Sequence, residues 1–269
     1  MMHQPGQVML NGRLLPAAEA RVSVLADGFM FGAGVFETLR VSQGRPEFWA
    51  EHVERLSHGA AELGLPLPAT FAGLRDTAMA LIGAEQLTDA VLKIVVFQDL
   101  DGGGELMTWR PNLYTKARYD AGFAVMTSEG APTAARLCAL KTLNYLGHSL
   151  AMKTARAGGF DEVIHVADGL VREGAAGNVF AVKQGRVITP RVESGLLPGI
   201  IRARLLSQCE QEVVEGDLSV EQLTQADEVF ITNSVLGVMP VCSINRIPCR
   251  RNGSAERFRV LVQSLAGNG

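Results

Sequence analysis

The chain is short of every feature that would mark it as a secreted, membrane-spanning or nucleic-acid-binding protein. Its 269 residues hold four cysteines, Cys138, Cys209, Cys242 and Cys249. No CxxC pair or metal-ligand spacing occurs among them, and a chain of this size has no need of disulfide staples, so reduced thiols are expected. The net charge of -3 offers no general attraction to nucleic acid or an anionic membrane. No apolar run approaches the ~20 residues of a membrane helix. The start, Met1-Met-His-Gln-Pro-Gly6, lacks the basic-then-apolar order of a secretory signal. The expectation is a cytoplasmic protein. With 47% hydrophobic and 20% charged residues, the composition is that of a globular chain with a substantial core.

Strand and helix patterns alternate along the chain. Asn11-Gly12 between apolar runs predicts a hairpin. A strand is expected over Gly34–Val41, and Val53, Leu56, Ala60 and Leu63 recur at helical spacing over 51–63. A second helix is predicted over 71–82 and a buried strand over 91–97, followed by a Gly-rich loop at Asp101-Gly-Gly-Gly-Glu105. The polar stretch after Pro111 predicts a linker over 113–120 between domains at 1–112 and 121–269. In the second half, strands are expected at 122–126, 162–166, 179–182 and 228–231. Helices are expected over 144–157 and after Pro198-Gly199, and a hairpin at Lys183-Gln-Gly-Arg186. The expected architecture is mixed α/β in two domains.

Several segments carry residues suited to chemistry. Lys141 opens Lys141-Thr-Leu-Asn-Tyr-Leu-Gly147 after a mostly apolar stretch. Burial lowers a lysine's pKa and yields an amine able to condense with an aldehyde. Glu173 lies in Leu170-Val-Arg-Glu-Gly-Ala-Ala-Gly-Asn-Val-Phe180, read as a loop between strands. Its carboxylate could keep a pyridine nitrogen protonated. Arg55 follows His52 by one helical turn and offers a fork for a phosphate, where the plainer alternative is a surface pair with Glu51 or Glu62. His52 itself reads as a packed or capping residue. Leu196-Leu-Pro-Gly-Ile-Ile-Arg202 opens a helix whose free amides suit a phosphate, and Thr232-Asn233-Ser234 ends an apolar strand with further donors. Each segment alone is as well explained by an ordinary surface lysine, a hairpin acid or a polar turn.

Taken in order, the segments resemble the fold type IV family of pyridoxal-phosphate enzymes. That family contains the branched-chain and D-amino acid aminotransferases and 4-amino-4-deoxychorismate lyase. The resemblance rests on Phe31-Gly-Ala-Gly-Val-Phe-Glu-Thr-Leu-Arg40, His52-x-x-Arg55-Leu56, Lys141-Thr-Leu-Asn-Tyr145, Glu173-Gly-x-x-x-Asn178, Gly199-Ile-Ile-Arg202 and Thr232-Asn233-Ser234. It implies pyridoxal 5'-phosphate as cofactor, a two-domain fold with the active site between the domains, and a homodimer acting on a small amino substrate. By position, it makes Lys141 the lysine that holds the cofactor and moves the proton at Cα. Glu173 becomes the partner of the ring nitrogen, and Tyr145 a group reaching the cofactor's 3-hydroxyl. Arg55, the backbone of Ile200 and Ile201, and Thr232 become the phosphate site.

The end of the chain, Val229-Phe-Ile-Thr-Asn-Ser-Val-Leu-Gly-Val-Met-Pro-Val241, looks most like the lyase. That likeness implies conversion of 4-amino-4-deoxychorismate to 4-aminobenzoate and pyruvate in folate biosynthesis, with an aminotransferase as the alternative. The chain departs from the family pattern at Ala26 and Ala33, at Ile201 in place of a threonine, and at Gly177 in place of a serine or threonine. In Phe97-Gln-Asp-Leu-Asp-Gly-Gly-Gly104 the usual arginines are missing, leaving Lys93, Arg40 and Arg110 as cations for a substrate carboxylate.

Overall fold

The structure is a computed structural model and describes residues 5–130 and 135–267. The outer bounds expected for the two domains, residues 1 and 269, lie outside the described residues. The chain divides into two compact units. One runs to Leu113 and takes in Leu140–Asn144; the other holds Tyr114–Ala139 and the chain from Tyr145 onward. Lys141 therefore belongs to the first unit, although the chain flanking Leu140–Asn144 on both sides belongs to the second.

The first unit is built on an antiparallel sheet of β1 (Gln7–Leu10), β2 (Arg13–Pro16), β3 (Gly34–Ser42), β4 (Arg45–Pro46), β5 (Asp89–Asp99) and β6 (Gly102–Pro111), in the order β2-β1-β6-β5-β3-β4. Asn11 and Gly12 take φ of 49° and 73°, so the first hairpin turns as Asn-Gly predicts. Helices α1 (Trp49–Glu62) and α2 (Leu74–Ala84) supply Leu56, Ala60, Ala78 and Leu81 to a core with Val35, Leu39, Val41 and Leu92. Alternation along β3 places Val35, Glu37, Leu39 and Val41 on one face, and Phe36, Thr38 and Arg40 on the other.

The stretch expected as a Gly-rich loop is strand. Asp99 pairs with Gly102, and only Leu100 and Asp101 form the turn. A Cβ on Gly103 would collide with the carbonyl oxygen of Pro66, and one on Gly104 with the Phe97 ring. The glycines therefore permit close approach to a tight hairpin rather than flexibility.

In the second unit the strand order is β12-β11-β10-β13-β14-β7-β8-β9, with β15 (Ile247–Pro248) paired to β14. The strands are β7 (Phe123–Glu129), β8 (Glu162–Ala167), β9 (Leu170–Gly174), β10 (Asn178–Lys183), β11 (Arg186–Thr189), β12 (Val213–Glu215), β13 (Glu228–Asn233) and β14 (Gly237–Ile244). Its longer helices are α3 (Leu146–Ala157), α4 (Ile200–Gln208) and α5 (Ser254–Ala266). Sequence reading missed α5 and β14. The stretch expected as linker carries a short helix, Lys116–Ala121, and Tyr114 and Tyr119 pack against this unit's core. Among the described residues no helix is long and apolar enough to cross a membrane.

Gly34 shows how tightly the lysine segment is seated. A Cβ there would come within 2.6 Å of Leu143 Cδ1 and 2.8 Å of Val96 O. We expect Gly34→Ala to destabilise the protein by roughly 1–3 kcal/mol through overpacking, read as a lower urea midpoint.

Candidate active site

In the first unit, Leu140–Asn144 lies along β3 as a strand-like edge. The Phe36 amide donates to Lys141 O and the Leu143 amide to Gly34 O, both at 2.9 Å, around a bridge between Val35 and Thr142. Asn144 Nδ2 donates to Gly32 O at 3.2 Å. The Phe31-Gly-Ala-Gly entry and the lysine motif are thus one piece of structure. Lys141 Nζ lies 4.5 Å from the centroid of the Phe36 ring, and Lys93 Nζ lies 4.3 Å from the same centroid. Burial holds Lys93 below the usual lysine pKa.

On the opposite face of β3, Glu37 occupies a core position and is 1% exposed. A carboxylate there needs partners, and α1 provides two. Arg55 donates from Nε and Nη2 to the two carboxylate oxygens, each at 2.7 Å. His52 Nδ1 lies 2.6 Å from Glu37 Oε2. The Arg55 fork grips Glu37, a partner that helical spacing does not suggest. Burial pushes the Glu37 pKa up, but the hydrogen bonds from Arg55 and His52 and their charges outweigh it, giving about 2. Burial pulls His52 below its ordinary value against the opposing pull of Glu37. His52 is 1% exposed with Nδ1 against the carboxylate, which makes it the packed residue the sequence suggested. Of the other cations, Arg40 lies 3.6 Å from Asp89 and Arg110 donates to Pro111 O at 3.2 Å.

In the second unit, Glu173 sits at the end of strand β9, not within a loop. The Leu197 amide donates to Glu173 Oε2 at 3.1 Å, and Asn178 Nδ2 donates to Leu197 O at 2.9 Å. These bonds tie the β9–β10 connection to the segment that opens α4. A Cβ on Gly199 would collide with Asn178 Oδ1, so only glycine fits this N-cap. No side chain caps the helix, and its first amides remain available to a ligand. Thr232 lies opposite Asn178 in the ladder and is 1% exposed. Its Oγ1 is buried with no hydrogen-bond partner among the described residues. An orphaned hydroxyl across from Asn178, whose amide packs on an uncapped nine-residue helix, is what a phosphate would satisfy.

Two departures have structural reasons. A side chain at Gly177 would meet Thr232 O and the Ile231 side chain, which leaves no room for serine or threonine. Ile201 is buried at the helix start, so the hydroxyl a threonine would bring is replaced by packing. Tyr145, expected at a cofactor hydroxyl, donates to Ala175 O at 2.9 Å and stacks on His148 at 4.4 Å. Burial first, then the charges of Glu173 and Glu162, push its phenol pKa up, so it stays protonated as a donor. Glu37 and Glu162 went unremarked in the sequence. Their signal is an acid in an otherwise apolar β row.

A family model described as amino-transferase class IV matches residues 34–244, most of the chain. The chain belongs to that family, and is accordingly a pyridoxal-phosphate enzyme of the fold type IV architecture. It is 32% identical over 262 residues to a D-alanine aminotransferase of Bacillus licheniformis, covering 89% of this chain and 88% of that protein. It is also 32% identical over 256 residues to a putative branched-chain-amino-acid aminotransferase of Methanocaldococcus jannaschii, with 89% and 88% covered. Among solved structures it resembles the branched-chain aminotransferase of Thermoproteus uzoniensis with norvaline. That match has a TM-score of 0.87 and 26% identity, and covers 97% of this chain and 95% of that one. These relatives favour the aminotransferase alternative over the lyase.

The Glu37 pair makes a pH-dependent contribution of known sign. Its folded pKa of about 2 lies below the ordinary 4.5, so the stabilisation is complete above pH 4.5 and disappears as pH falls toward 2. The shift corresponds to about 3 kcal/mol. Urea denaturation should show Glu37→Gln less stable than the parent by about this amount at pH 7. The gap should narrow steadily below pH 4.5.

Proposed function

We propose that the protein is an aminotransferase that moves an amino group from a neutral amino acid to a 2-oxo acid. The relation to aminotransferases over about nine-tenths of the chain carries this reading. The retained Lys141 and Glu173 support it, and so does the orphaned Thr232 hydroxyl. When bound, pyridoxal 5'-phosphate takes up the amino group through its aldehyde and stores the electrons released at Cα in its ring.

Lys141 supplies the amine that holds the cofactor and carries the proton to and from the substrate Cα. Glu173, accepting from the Leu197 amide, keeps the proton on the ring nitrogen. The amides of Ile200 and Ile201, the Thr232 hydroxyl and Arg55 hold the phosphate, and the Tyr145 oxygen, its proton given to Ala175 O, accepts from the ring's hydroxyl. The hairpin at 97–105 carries no cation, which suits a donor with a small or aliphatic side chain.

The active form is read as a homodimer. Val22, Val24, Leu25, Phe29, Met30 and Phe31 form an exposed apolar run, between 45% and 72% accessible, that a second copy would cover.

Two measurements test these readings. Addition of D-alanine or of a branched-chain L-amino acid should convert the visible cofactor band to that of the pyridoxamine form, and Lys141→Ala should abolish the response. Release of 4-aminobenzoate from 4-amino-4-deoxychorismate without that conversion would restore the lyase instead. Sedimentation should give twice the chain mass, and Phe29→Glu with Phe31→Glu should shift it to one.

A further inference from the structure

Between Gly174, the last residue of β9, and Asn178 the backbone leaves regular pairing for three residues, Ala175 to Gly177. This turn is closed on itself by a bond from the Gly174 amide to Gly177 O at 2.6 Å. The Ala175 amide donates to Val163 O at 3.0 Å, and side chains from elsewhere in the second unit meet two of the turn's carbonyls. Tyr145 Oη donates to Ala175 O at 2.9 Å, and Asn233 Nδ2 donates to Ala176 O at 2.8 Å. On the inner side stands Glu162, at the start of β8 and 2% exposed. Its Oε1 accepts from the Ala175 amide at 3.0 Å and from its neighbour Val163 at 2.9 Å, and the Ala176 amide donates to the same carboxylate.

The proposed reaction gives Glu162 no task. Among the described residues it forms no ion pair, so backbone amides alone hold it. Burial pushes its pKa up to about 7, with the amides and the more distant Arg156 pulling the other way. A carboxylate in such a place costs stability that an apolar side chain of similar size would not. Packing alone does not account for it. The amides it holds do, because they lie within three residues of Glu173.

We propose that Glu162 is a positioning residue that fixes the turn at Gly174–Gly177 and thereby aims the Glu173 carboxylate at the ring nitrogen of the cofactor. This rests on the assignment of Glu173 to that nitrogen. Glutamine at 162 keeps the size and one carbonyl oxygen but turns an N–H2 group toward an amide, so one of the anchoring bonds must break.

The test uses the holoenzyme loaded with 15N-labelled pyridoxal phosphate. Glu162→Gln should move the ring-nitrogen resonance toward its unprotonated value, and amide exchange across 174–177 should rise about tenfold. Phe258→Leu, which loosens the core of the same unit away from the turn, should move neither signal. If glutamine prevents folding, Glu162→Asp keeps the charge, withdraws it by one methylene and should give the same two changes. An unmoved nitrogen resonance in a folded variant, or an equal shift in Phe258→Leu, overturns the proposal. Glu173→Gln separates the two layers of the argument. If it leaves the resonance unchanged, the assignment of Glu173 fails. If it shifts the resonance and Glu162→Gln does not, only the role of Glu162 fails.

Discussion

Everything in the first unit that bears on chemistry depends on five residues pairing with the edge of β3. The outer edge of that strand is covered in two lengths: β4 takes the Ser42 end, and Leu140–Asn144 takes the Gly34 end. An uncovered edge would expose unpaired amides and carbonyls. Here the covering strand is the lysine segment itself, with Lys141 fixed through its own carbonyl to the Phe36 amide. The backbone at Lys141 is thus placed by main-chain hydrogen bonds, which a surface substitution cannot loosen. Gly32 and Gly34 follow from the same constraint, since a side chain at either would strike Asn144 or Leu143.

Two buried acids show how the surroundings decide the sign of a cost. Glu37 and Glu162 are both almost wholly buried, and desolvation is the largest influence on each. Glu37 has an arginine fork and a histidine proton, and ends at about 2. Glu162 has only amides, and ends at about 7. The two shifts are nearly equal and opposite, about 3 kcal/mol each. The first stabilises the folded chain at neutral pH. The second opposes folding there, because the folded group holds its proton up to pH 7 while the unfolded one loses it near 4.5. One acid builds the scaffold, and the other draws on stability for the sake of geometry.

Periodicity was enough to read most elements. The Asn11-Gly12 hairpin, α1, β5 and the helix after Gly199 stand where apolar spacing and turn residues put them. The Gly-rich stretch at 101–105 was misread because glycine has two uses. It can relax a chain or let another backbone come close, and only the nearness of Pro66 and Phe97 shows which applies. Lys141 and Glu173 were read from their motifs, and the structure places the first beside β3 and the second in β9. The partner of Arg55 was not legible, since Glu37 lies eighteen residues away and helical spacing pointed to Glu51 or Glu62. Glu162 shows in the sequence only as an acid in an apolar β row, because its partners are backbone amides, which carry no sequence signature.

The departures from the family pattern fall into two physical kinds, and the difference bears on what this chain does. At Gly177 and Ile201 the lost hydroxyls leave a phosphate site built mainly from backbone, with the uncapped start of α4 and Thr232 still in place. Helix amides bind an anion without regard to the side chains around them. The cofactor side therefore tolerates these changes. At 97–105 nothing equivalent replaces the missing arginines, because the stretch has become a tight hairpin whose tip, Leu100 and Asp101, offers no cation. On the proposed reading, a site without arginines in this hairpin that keeps its phosphate donors would select for a less charged substrate. That asymmetry separates an aminotransferase of neutral amino acids from a lyase that must hold a dicarboxylate.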